Sequence, residues 1–168
     1  MKLRSLAAGL LLLVAGAACS NDTEPGQATS TGQLLASVAS KAIDDSGFAI
    51  PAAIYVREAL YEDEMAIQFE GDPQFLSEQD KNSIRSSIGD LAAVTFFTDP
   101  SLVVDDDWNL LPDRLILLIG PIENEDTRQV VRVGVIAGSN LDDTYVGWYP
   151  VNPGTGEVGD SPRITMVP

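Results

Sequence analysis

RLILLIGPI (residues 114–122), RQVVRVGVIAG (128–138) and TYVGWYPV (144–151) are apolar runs separated by the short acidic breaks ENEDT (123–127) and SNLDD (139–143). Apolar runs of strand length joined by Gly, Asn and Asp predict an antiparallel meander. In the middle run Val131, Val133, Val135 and Ala137 fall on one side, and Arg128, Val130, Arg132, Gly134 and Ile136 on the other. That alternation suits a sheet with one buried face and one partly wet face. In the last run Trp148 and Tyr149 point to opposite faces, so one belongs to the core and the other is free to line a pocket.

Working outward, the segment before the meander reads as helices and short strands. QLLASVASKAI (33–43) places Leu34, Leu35, Val38, Ala42 and Ile43 near one helical face, with Ser46-Gly47 as a stop. Pro51 opens a second candidate helix, AAIYVREALYEDEM, although Ile54, Tyr55 and Val56 also suit a strand. Glu62, Asp63 and Glu64 read as a solvated helix end, and MAIQF as a short strand before the turn EGDP. Ser77 is a strong N-cap, with Glu78 and Asp80 in the first turn. Ile84, Ile88 and Leu91 then form one stripe that packs on the sheet, and Gly89 marks the end. LAAVTFFTDP reads as a strand closed by a turn, and RITMV as a final edge strand. The predicted class is α+β: N-terminal helices on one face of a curved antiparallel sheet of four to six strands.

The amino end has its own grammar. Lys2 and Arg4 precede the apolar run Leu6 to Val14, and small residues lead to Cys19, the sole cysteine of the 168-residue chain. A basic start, a short apolar stretch and a small-residue cleavage site make an export signal, not a spanning helix. The stretch resembles a bacterial lipoprotein signal: Ala17-Ala18-Cys19 fit the lipobox, while Gly16 stands where leucine is more usual. The resemblance implies cleavage before Cys19, acylation (palmitate-type chains) of Cys19, and attachment to a membrane. Ser20 after the cysteine implies the outer membrane of a cell envelope, facing the periplasm. SNDTEPGQATSTGQ is too poor in apolar residues to fold and reads as a tether. The expected organisation is a signal peptide at 1–18, a lipidated tether at 19–32 and a single domain at 33–168.

Charge and composition exclude more than they assign. With 10 Lys+Arg against 25 Asp+Glu, the formal charge is −15, which argues against nucleic acid and against electrostatic adhesion to anionic lipid. The absence of histidine removes Ser-His-Asp and Cys-His catalysis and the commonest zinc ligand. No S-x-x-K motif occurs, Ser77 and Lys81 being one residue too far apart, and VNPGTGEVGD lacks the Lys-Ser/Thr end of a phosphate loop. Asp105, Asp107, Asn109 and Asp113 match calcium-loop positions one, three, five and nine, but Leu110 replaces the required glycine and Ile116 the bidentate glutamate. That stretch reads as an ordinary acidic loop. No catalytic, cofactor or metal residue is assigned, and Cys19 is the only site residue.

GPI, VRVGV and TYVGW also resemble the last strands of uncharacterised secreted bacterial domains over about residues 77–151, some with cystatin-like cone-shaped sheets. Such cones hold a pocket between helix and sheet, so the resemblance implies ligand binding without adding catalytic residues. Two functions are therefore expected as alternatives. One is a non-enzymatic binding or interaction domain presented from the membrane, its ligand or protein partner unidentified. The other is a small-ligand or carboxylate-based hydrolytic pocket between helices and sheet.

Overall fold

The computed structural model describes residues 29–60, 73–125, 128–138 and 143–161, together with the backbone of 164–167. The expected signal, Cys19, most of the tether, Glu62–Glu64 and MAIQF lie outside these residues.

Helix α1 (Thr31–Ser46) starts on a capping box: the Ser30 hydroxyl accepts from the Gln33 N–H while the Gln33 side chain accepts from the Ser30 N–H. It begins two residues before the expected start of the domain at 33. Gly47 ends it at φ 66°, a left-handed conformation that costs glycine little. Leu34, Leu35, Val38, Ala42 and Ile43 are all buried, as their spacing predicts.

Helix α2 (Glu78–Ile88) is capped in the same way by Ser77 and Asp80. Ser77→Ala removes an acceptor and leaves a first-turn N–H without it. The expected cost is about 1 kcal/mol, read as a shift in urea midpoint at constant slope. Ile84 and Ile88 are buried, but Leu91 is 41% exposed because the helix stops at Ile88 and the following turn carries Leu91 off the stripe. The two helices approach closely at Gly32, where a Cβ would lie 2.9 Å from the Asp80 Cα.

The segment after Pro51 corrects the helical reading. It forms strands β1 (Ala53–Arg57) and β2 (Ala59–Leu60), the latter paired with β3 (Gln74–Phe75). Ile54 and Val56 are buried on one face, so β-branched alternation outweighs the helix-favouring Ala and Glu around it. Strand β4 (Ala93–Phe97) follows α2 and lies parallel to β1. Strand β1 is also parallel to β5 (Arg114–Glu125) on its other side. The sheet is therefore mixed, because α2 makes the crossover that a parallel β1–β4 pair needs.

The meander itself is as read. β5, β6 (Arg128–Ala137) and β7 (Thr144–Asn152) pair antiparallel in sequence, and β7 carries β8 (Glu157–Val158) and β9 (Ile164–Val167) on its other side. The order is β4-β1-β5-β6-β7-β8, curled like a half-barrel with both helices on one side. Between Ile119 and Ile122 the β5–β6 register shifts by one residue, a bulge at Gly120-Pro121 that bends the strand and tolerates the missing proline N–H. Beyond it β5 continues through Glu123, Asn124 and Glu125, so most of the expected acidic break is strand.

Leu115, Leu117, Ile119, Val131, Val133, Val135, Tyr145 and Tyr149 join the helices in the main core. The opposite face is less wet than its sequence suggests. Ile116, Leu118 and Ile136 are roofed by Val103, Val104 and Leu110 from the connection between β4 and β5.

Candidate functional site

Residues on β7 and α1 build a buried polar relay. Tyr145, Gly147 and Tyr149 share the helix-facing side of β7, and both phenols are buried. Their hydroxyl oxygens lie 2.7 Å apart, and the Tyr149 hydroxyl donates to Asp45 Oδ2 at 3.1 Å. With the Tyr149 proton committed to Asp45, Tyr145 is the donor within the pair. Asp45 also meets Lys41 one turn earlier at 3.4 Å, and Lys41 Nζ reaches Asp160 at 2.9 Å. Asp160 is 98% exposed, so the chain of contacts runs from the core to solvent at the end of α1. Contact with Asp160, opposed by burial, raises the Lys41 amine above its usual range.

Burial, chiefly, raises both phenols above the ordinary tyrosine range. Both phenols stay protonated at neutral pH and act in the relay as hydrogen-bonding groups that join α1 to β7. The linkage has a definite sign. An unfolded phenol ionises near pH 10, whereas burial makes folded Tyr149, and in the same direction Tyr145, hold the proton to higher pH. Above about pH 10 the unfolded state therefore binds fewer protons at Tyr149, and stability falls there by about 1.4 kcal/mol per pH unit, Tyr145 adding a contribution of the same sign. Ultraviolet absorbance and circular dichroism followed together, with Tyr149→Phe identifying its signal, should show the Tyr149 phenol ionising only as the fold is lost. Ionisation of Tyr149 near pH 10 with the fold intact would contradict this account.

A second feature is an open groove of about 1230 Å³ along the outside of the α1–α2 seam. Gln33, Ser37, Asn82, Ser83 and Ser86 line it, and among the described residues no charged or aromatic side chain does. It lies on the outside of the helices, not between helices and sheet where the expected pocket would sit. Its hydroxyls and amides can exchange hydrogen bonds with a neutral polar surface.

The acidic loop keeps its carboxylate for itself. Asp105 Oδ1 accepts from the Asn109 N–H at 2.8 Å and from the Asp107 N–H at 3.0 Å, and these bonds hold its carboxyl below the usual range. Trp108 in this loop has φ 63°. Among the described residues no group of three or more acidic side chains is arranged to hold a metal ion. Ser77 and Lys81 serve structure: Ser77 caps α2, and Lys81 bridges Glu58 and Glu78 at 2.8 Å each. Tyr149 is the core residue of its pair. Trp148 lies on the other face, half-buried under the Arg132 guanidinium at 5.5 Å.

The architecture is thus an α+β domain with two helices on a curled mixed sheet. Compared with protein-family models, curated proteins and solved structures, the chain matches none.

Proposed function

We propose that this chain is a lipoprotein of a bacterial cell envelope, held to the membrane by acyl chains on Cys19, and that its α+β body is a non-enzymatic binding domain. The observation that carries the reading is the sole cysteine directly behind Ala17-Ala18 and the apolar run Leu6 to Val14. Among the described residues no helix is long and apolar enough to cross a membrane, which leaves the acyl anchor to supply attachment in this reading. Ser20 supports the outer membrane, with the domain standing in the periplasm. The binding role draws on the missing histidine, on phenols held protonated, and on a groove lined by neutral hydroxyls and amides.

Mass spectrometry of the membrane-extracted protein tests the anchor. The amino-terminal peptide should begin at Cys19 and carry the added mass of acyl chains. A peptide beginning at Met1 with a free thiol would refute the proposal.

A further inference from the structure

Strand β4 ends the sheet order, and its register shows which of its groups are used. The Ala93 N–H donates to the Ala52 carbonyl, and the Phe97 carbonyl accepts from the Glu58 N–H. Since backbone groups alternate sides along a strand, Ala93, Thr95 and Phe97 face β1 while Val94 and Phe96 turn their N–H and C=O outward. Among the described residues no strand pairs with that outer side. Proteins commonly blunt such edges with lysine, proline or a bulge. The segment AVTFF has no charge and no proline, its pairing with β1 is unbroken, and Leu91 and Ile50 stand exposed near its start. Both ends of the strand are acidic: exposed Asp90 precedes it and exposed Asp99 follows it. A second copy paired antiparallel would set acid against acid, on top of a formal charge of −15 per chain.

We propose that the outer edge of β4 is a docking site for an extended segment of a partner protein, apolar or β-branched at its centre and flanked by lysine or arginine. Val94 and Phe96 offer two N–H donors and two C=O acceptors to such a strand, the main-chain grip of β-augmentation. Cations at the ends of the incoming segment meet Asp90 and Asp99. Charge selects the partner and backbone pairing holds it. This rests on reading the domain as a binding module. It is independent of the anchor, so loss of either leaves the other standing.

The test is amide hydrogen exchange on the folded chain with the peptide Arg-Arg-Val-Thr-Val-Thr-Val-Arg-Arg and its twin carrying Glu for each Arg. At about 1 mM, a concentration that saturates a weak strand-addition site, the basic peptide should slow exchange at Val94 and Phe96 by about tenfold. The acidic twin should not. Asp90→Lys alters a solvent-facing side chain, keeps the fold, and should weaken the basic peptide several-fold. Val94→Pro deletes one outward donor and should abolish the slowing at Phe96, with retained melting confirming that the sheet survives. Unchanged exchange with the basic peptide, or equal effects from both twins, would overturn the proposal. So would Val94 and Phe96 already protected in a free protein that sediments as a dimer, since the edge would then belong to a second copy.

Discussion

Replacing Cys19 by serine is expected to transfer the protein from the membrane pellet to the soluble fraction. The proposed anchor works through buried methylenes, each contributing about 0.8 kcal/mol, so two or more chains on one residue amount to a permanent attachment. Electrostatic adhesion is a poor substitute. Polybasic patches add about 1 kcal/mol per cation at an anionic surface, but a formal charge of −15 gives repulsion instead. The lysines after residue 18, Lys41 and Lys81, are both held in ion pairs with the domain's own carboxylates. Serine cannot be thioacylated and is close in size, so the domain should fold and melt unchanged. Ultracentrifugal fractionation of the exported variant checks the transfer. Retention of Cys19→Ser in the pellet would mean that attachment runs through a partner, and the lipid anchor would have to be abandoned.

How much of this was readable from sequence follows from the range of the forces involved. Capping and amphipathicity act within a turn or two, so Ser77, Gly47 and the buried stripe of α1 could be placed in advance. The meander was legible because its neighbours in sequence are neighbours in the sheet. Strand β1 was legible only as the alternative to a helix, since both its partners are reached only through long connections and its flanking Ala and Glu favour a helix. The roof over Ile116 and Leu118 was equally hidden: Val103, Val104 and Leu110 sit in a stretch whose charges suggested a solvated loop. The tyrosine relay joins Asp45 to residues about a hundred positions away, and pairing at that distance has no periodic signal. One clue was present. A glycine between two tyrosines of a strand, each two residues away on the same face, marks a place where rings can lie over bare backbone. The open edge of β4 required the topology, because AVTFF alone reads equally well as a central strand.

That glycine supports the strongest stability prediction. Gly147→Ala is expected to destabilise the domain by about 3 kcal/mol, combining overpacking with loss of a buried hydrogen bond. A Cβ at this position would lie 2.7 Å from Tyr149 Cε2 and 3.0 Å from both Tyr145 Oη and Tyr149 Cζ. Neither ring has room to retreat. Both are buried in the main core beneath α1, and their hydroxyls are fixed to each other and to Asp45. Making space for a methyl group therefore means shifting the helix or breaking the relay. Gly159→Ala is the matched control, since its added Cβ would meet Pro150 at 3.5 Å and 3.6 Å, ordinary contact distances. Urea unfolding of both variants should show a large midpoint shift for the first and little for the second. If the Tyr149 ring is the cause, Tyr149→Leu should cost less in the Gly147→Ala background than alone, a non-additivity expected of side chains in contact. Strict additivity, or a Gly147→Ala cost below about 0.5 kcal/mol, would show that the rings can move aside and that the relay does not hold α1 to the sheet.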